Sequence, residues 1–173
     1  MARRVRRLFR GGRIVDLAAG HGLLAHVLVL LDNSSPRALA VDTTLPKSHA
    51  VLRDALVDVW PRLKDRVEFL EAPIESVALD ANDVVVSSHA CGVLADVVLA
   101  RASEAHARVA VLPCCQDLAV NDAGPLAGWI DGSLAVDVMR AVRLEQRGYR
   151  VRTLTIPETI TPKHRLLVGE PGD

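Results

Sequence analysis

The stretch Asp16-Leu17-Ala18-Ala19-Gly20-His21-Gly22 gathers residue types that can hold a small charged ligand. The apolar pair Ile14-Val15 leads into it, and a helical pattern of apolar residues leaves it from Leu23. A Gly-x-Gly turn between a strand and a helix presents bare backbone amides at a helix N-terminus. Asp16 stands four residues before Gly20, and a second acid, Asp42, ends the next apolar run. Gly20, Gly22 and Ala25 also match G-x-G-x-x-A, a weak dinucleotide fingerprint. Two details separate the readings. Dinucleotide turns usually carry glycine where Ala18 stands, and Asp16 would repel a pyrophosphate while tolerating an ammonium or sulfonium group. Asp42 can accept two hydrogen bonds from ribose hydroxyls.

A cofactor with a cationic amine and a ribose suits this turn, and S-adenosyl-L-methionine has both. The expected binding set is Asp16, Ala18, Gly20, His21, Gly22, Asp42 and Thr43, joined by Pro73, Ile74 and Ser88 at later strand ends. Structural alternatives stand beside it. Asp42 could serve as a turn or capping residue, Asp16 as a buried acid holding loop amides, and His21 as a turn filler.

These residues need a scaffold, and the rest of the chain describes one. Apolar runs at 14–17, 38–41, 67–70, 83–87, 109–112, 149–156 and 165–168 alternate with helical periods at 23–31, 47–63, 93–105 and 130–147. Repeated β-α-β alternation with right-handed crossovers predicts a Rossmann-like, doubly wound, mostly parallel sheet with helices on both faces. Ligands of such sheets lie beyond the carboxyl ends of the strands. Every motif singled out falls at such an end. The expected division is a basic N-terminal arm, 1–12, and a single domain, 13–173.

Half of the 173 residues are apolar but only 3% are aromatic, so the core must be built of Ala, Val and Leu. No apolar run reaches about 18 residues, so no membrane span is expected. The charged N-terminus leads straight into the first strand, so no signal peptide is expected. Three cysteines, an odd number, suit a reducing cytoplasm better than a disulfide framework. The formal net charge of zero conceals an asymmetry. Arg3, Arg4, Arg6, Arg7, Arg10 and Arg13 lie together with no acid among them, leaving 15 basic against 21 acidic residues elsewhere. Such an arm, through Arg3, Arg4, Arg6, Arg7 and Arg10, could meet RNA. The alternative is a solvated helix whose Val5, Leu8 and Phe9 pack on the domain and which Gly11-Gly12 stops.

The order Val15-Asp16-Leu17-Ala18-Ala19-Gly20-His21-Gly22, Val41-Asp42, Glu71-Ala72-Pro73-Ile74 and Asp83-Val84-Val85-Val86-Ser87-Ser88 resembles class I S-adenosylmethionine-dependent methyltransferases over nearly the whole chain. The resemblance implies a seven-stranded sheet whose last strand is inserted antiparallel. It implies that Gly20 and Gly22 border the methionine moiety, that Asp42 holds the ribose, and that Pro73 and Ile74 line the adenine.

A second cluster follows two strands that should be neighbours. Ser87-Ser88-His89-Ala90-Cys91-Gly92 ends one and Leu112-Pro113-Cys114-Cys115-Gln116 ends the other. His-Ala-Cys-Gly paired with Pro-Cys-Cys, together with Asp96 and Thr161-Pro162-Lys163-His164-Arg165, resembles a methyltransferase-like group related to the tRNA ribose 2′-O-methyltransferases. His89, Cys91 and Cys114 are the candidate catalytic residues. His89 could act as general base for a hydroxyl acceptor. A cysteine could attack a pyrimidine ring. A metal is not expected, because adjacent Cys114 and Cys115 fit poorly into one tetrahedral site. Buried, inert cysteines beside a satisfied loop histidine are the plain alternative. Trp129 after the 116–128 loop reads as a packing anchor, or else as a lid.

The expectation is therefore a methyltransferase acting on RNA, with tRNA foremost. A small-molecule acceptor under the 116–128 loop, a non-catalytic partner subunit and a nicotinamide-dependent reductase are the alternatives.

Overall fold

The computed structural model describes residues 1–88 and 90–172. His89, a candidate base, therefore lies outside the described residues. Seven strands form one sheet: β1 (Ile14–Leu17), β2 (Ala38–Asp42), β3 (Val67–Glu71), β4 (Val84–Ser87), β5 (Arg108–Val111), β6 (Tyr149–Thr155) and β7 (Arg165–Pro171). Their order is β3-β2-β1-β4-β5-β7-β6. The first five pair in parallel. β7 runs antiparallel to both β5 and β6, so the sheet is mixed rather than wholly parallel.

The central strands are buried on both faces, which is why they read as short, mostly aliphatic runs. Successive side chains feed opposite layers. Ile14, Val84, Val86 and Ala110 pack with helices α1 (Ala2–Leu8) and α2 (Leu23–Leu31). Val15, Leu17, Val85, Val109 and Val111 pack with α4 (Leu94–Glu104) and α5 (Gly132–Gln146). Between them in the chain, α3 (His49–Val59) buries none of its residues fully. The helical pattern predicted this helix through Leu63. It stops at Val59 because Pro61 cannot continue it, and residues 61–63 form a separate 3₁₀ turn.

The N-terminal basic segment is part of the folded body. Val5 and Phe9 are buried, as expected of a packed helix. Arg6 is buried too, which removes it from any surface that could meet RNA. Its Nε donates to the Leu28 carbonyl at 2.9 Å, and its guanidinium lies 3.3 Å from Asp32. Burial would raise the Asp32 carboxyl, but the Ser34 hydroxyl and amide together with Arg6 hold it down at about 2. Arg13 grips Asp83 with two hydrogen bonds, at 2.9 and 2.6 Å, across the start of β1 and β4. Arg3, Arg4, Arg7 and Arg10 remain exposed. Among the described residues, no helix is long and apolar enough to cross a membrane.

Replacing Arg6 with alanine leaves the buried Asp32 carboxylate with only the exposed Arg10, 3.2 Å away, as its cation, so Arg6→Ala should cost about 2 kcal/mol in urea unfolding. Arg7→Ala, one residue away but exposed, should change stability by less than about 0.5 kcal/mol. Equal effects would contradict the docking of α1 through Arg6.

Candidate functional site

The turn from β1 into α2 is built from left-handed residues. Ala18, Gly20 and Gly22 have φ of 57°, 54° and 73°. Gly22 begins the helix, and a side chain there would meet the Phe69 ring at 2.6 Å. At Gly20 the same construction meets nothing within 4 Å, so that position faces open space. The two glycines have different duties: Gly22 permits packing and Gly20 leaves the turn uncovered.

Two carboxylates hold this turn. Asp42, at the end of β2, accepts from the Gly20 amide through Oδ2 and from the Thr43 amide through Oδ1, each at 2.8 Å. Each oxygen keeps a lone pair, so Asp42 can still accept two hydroxyl donors. Thr43 is exposed. Asp16 is 1% exposed, and its Oδ2 accepts from the Ala25 amide at 3.2 Å. Its Oδ1 has no hydrogen-bond partner. Burial, with the nearby Asp42 charge adding to it, pushes the Asp16 carboxyl up to about 8 despite the Ala25 amide. Asp16 is thus a buried acid that fastens β1 to the first turn of α2 through one oxygen and leaves the other without a partner.

The other candidate contacts divide. His21 is exposed, with Nε2 2.7 Å from the Ser48 hydroxyl, and so bridges the turn to the start of α3. His21, Gly20 and Ser88 line one open groove of about 840 Å³, with Met1, Leu24 and Val51 on its apolar walls. Pro73 is exposed. Ile74, expected with Pro73 beside the adenine, is buried in the core with Val15 and Leu17. Glu71 instead accepts from the Leu45 amide at 3.2 Å and pins the loop after Asp42.

The loops after β4 and β5 converge. The Gly92 amide donates to the Cys115 carbonyl at 2.9 Å. Cys91 Sγ lies 2.7 Å from Cys114 Sγ, and the three cysteine sulfurs lie within 4.8 Å of one another. Adjacency in sequence therefore does not separate Cys114 from Cys115. Burial, followed by the thiols of Cys91 and Cys115, pushes the Cys114 thiol up to about 12. That shift works against thiolate formation at Cys114.

One residue that sequence reasoning missed organises this end. The Arg140 side chain is 1% exposed. It donates to both oxygens of Asp96 at 2.9 Å, to the Gly92 carbonyl at 2.8 Å and to Asp137 at 3.2 Å. Asp137 also accepts from Arg165 at 2.7 Å and from Gln116 at 3.1 Å. Asn121 donates to Asp96 at 3.0 Å. The signal was present: Val136, Arg140 and Leu144 stand at i, i+4, i+8, which puts Arg140 on the buried stripe of α5. Trp129, read as a packing anchor, is instead 85% exposed.

This geometry can be set beside known proteins. Residues 3–121 match the family described as "Methyltransferase domain". The chain belongs to that family. Two curated relatives are similar over 93% of this chain, both named glutathione S-transferase C-terminal domain-containing protein. One is from Xenopus laevis (24% identical) and one from Bos taurus (25% identical). The chain spans about a third of their length, 31% and 30%. Solved structures share the fold. The B. subtilis m1A22 tRNA methyltransferase TrmK aligns with a TM-score of 0.65 at 14% identity, over 99% of this chain and 65% of that one. The S-adenosylmethionine-dependent methyltransferase SibL aligns at 0.59 and 20%, over 95% and 51%. A Burkholderia thailandensis 1,6-didemethyltoxoflavin N1-methyltransferase, solved with S-adenosylhomocysteine, aligns at 0.61 and 17%, over 98% and 75%.

The state of Asp16 has a measurable sign. Its folded value, about 8, exceeds the ordinary 3.8, so between those values the folded chain holds a proton that the unfolded chain has lost. Stability should fall as pH rises through this window, by about 1.4 kcal/mol per pH unit relative to Asp16→Asn. Parallel stability curves for the two proteins from pH 5 to 8 would refute the assignment.

Proposed function

We propose that this methyltransferase-family chain binds S-adenosylmethionine over the Gly20 turn and methylates RNA, with tRNA the foremost acceptor. The observation that carries the cofactor half is the uncovered Gly20 beside Asp42, whose carboxylate already orders the turn and keeps two acceptor positions. Gly20, its amide held by Asp42, presents an uncovered Cα to the methionine moiety, Asp42 accepts the ribose hydroxyls, and Pro73 offers an exposed apolar surface to the adenine. When bound, S-adenosylmethionine supplies an electrophilic methyl carbon on a sulfonium.

In-line transfer asks little covalent chemistry of the protein. Alignment and exclusion of water supply most of the catalysis. In this chain the aligning parts are the β4 and β5 loops, which Arg140 fastens through Gly92 and Asp96. A ring-nitrogen acceptor needs little further help. A hydroxyl acceptor needs a base, the role read for His89.

The RNA half rests on charge and place. Met1 and Ala2, at the start of α1, line the same groove as Gly20 and Ser88. The exposed Arg3, Arg4 and Arg7 follow directly in the chain, and their charge supports an RNA acceptor. The tRNA methylation named for TrmK, and the His-Ala-Cys-Gly and Pro-Cys-Cys motifs, favour the same acceptor. One observation favours a second reading. The groove is walled by Leu23, Leu24, Val27, Val51 and Leu52, which would suit an apolar small-molecule acceptor.

Calorimetry with S-adenosylhomocysteine and NADPH tests the cofactor. S-adenosylhomocysteine should bind and NADPH should not. Asp42→Ala should weaken binding about a hundredfold, the loss of two charge-assisted hydrogen bonds. Preference for NADPH would overturn the reading.

RNA binding is tested with Arg3, Arg4 and Arg7 all changed to alanine. Deleting the helix would also remove the buried Val5 and Phe9. The triple variant should bind RNA more weakly and lower the salt slope by about 2. An unchanged slope would remove the arm from the account.

A further inference from the structure

We propose that Cys91, Cys114 and Cys115 form a three-thiolate site for a thiophilic d¹⁰ metal ion such as zinc, clipping together the loops that follow β4 and β5. The inference rests on the thiol geometry alone and stands apart from the choice of cofactor or acceptor. All three cysteines of the chain meet at this one place although they arrive on two loops. Their sulfurs lie within 4.8 Å of one another. Thiolates about 2.3 Å from a tetrahedral zinc stand about 3.8 Å apart, so a single ion reaches all three after small side-chain rotations.

The pair Cys91 and Cys114 must open from 2.7 Å, and both have room to do so: Cys91 is exposed and Cys114 half-buried. Two neighbouring cysteines constrain the ligand angles. An ion without a d-electron geometric preference tolerates that constraint, and soft thiolates select such ions over magnesium or calcium. Three protein ligands leave a fourth position to solvent or another donor.

The backbone around the sulfurs is already held. The Gly92 amide bonds the Cys115 carbonyl, and Arg140 bonds the Gly92 carbonyl. The ligands therefore come from loops fixed before any ion arrives, which lowers the ordering cost of binding. On binding, each thiol gives its proton to solvent and the ion takes three sulfur ligands. The sulfurs would then be shielded from alkylation and unavailable as nucleophiles toward a pyrimidine ring.

The reduced full chain can be titrated with Zn²⁺ against a chromogenic chelator, and with Co²⁺ followed by absorption. The expected result is one ion per chain, with thiolate-to-cobalt charge-transfer absorption. Mass spectrometry after timed alkylation should show all three thiols slowed together by Zn²⁺. Cys91→Ser and Cys115→Ser should each weaken Zn²⁺ binding about tenfold or more, while His106→Ala leaves it unchanged. Circular dichroism checks that each variant is folded, and the wild-type alkylation experiment needs no variant. Three outcomes would overturn the proposal. These are alkylation rates indifferent to Zn²⁺, a Co²⁺ complex without thiolate absorption, or a Cys91–Cys114 disulfide that forms in air equally fast with Zn²⁺ present.

Discussion

Gly22 has no side chain, and Phe69 occupies the space where one would stand. This contact fixes how closely α2 can approach the sheet, and much of the geometry around Gly20 follows from it. With Phe69 seated there, the buried His26 packs 5.8 Å from its ring and His49 4.9 Å from it, which ties α2 and α3 to β3. His26 Nδ1 lies 2.8 Å from the Gly22 carbonyl in turn. The turn before Gly22 is then short, left-handed and upright. Gly20 is left at its crest beside the end of β2. Asp42 reaches that crest only because β1 and β2 pair in parallel with Asp16 opposite Ala40. The open backbone at Gly20 is therefore a consequence of helix-on-sheet packing.

The other end of the cleft depends on charge. Arg140 is a buried cation with two carboxylates, a geometry in which losing one partner is far more costly than the pair is stabilising. Its hydrogen bonds draw α4, α5 and the loop after β4 to one point, and Asp137 extends the grip to β7 through Arg165. The loop after β5 joins through Gln116 and Asn121. Three exposed or half-exposed cysteines can thus stand on loops that hold their place. The antiparallel insertion of β7 matters for the same reason, since it brings Arg165 beside α5.

The sheet was legible because its strands are short, doubly buried and separated by recognisable turns. Ile14–Leu17 and Leu23–Leu31 emerge with the limits the apolar pattern assigned them. The end of α3 was misread because its apolar spacing runs on past Pro61, and the ring's missing donor outweighs that periodicity. Asp42 was legible from its place at a strand end. For Asp16 the sequence gives an acid's position but not its solvation: it is buried, and burial pushes its carboxyl upward. The same limit hid Arg6: six arginines read as one basic surface, yet the helix turns one of them inward to Asp32. Arg140 was overlooked because a charged residue on an apolar helical stripe is easily taken for a surface residue when its partners lie on other elements.

The central claim is that an uncovered Gly20 and the Asp42 carboxylate together form the seat of an adenosyl cofactor in this methyltransferase domain. A crystal structure of the chain with S-adenosylhomocysteine tests it most directly. The account predicts the ribose hydroxyls on the two oxygens of Asp42 and the amino-acid moiety against the Gly20 backbone. A ligand seated elsewhere in the chain, with Asp42 touching only the Gly20 and Thr43 amides, would contradict it.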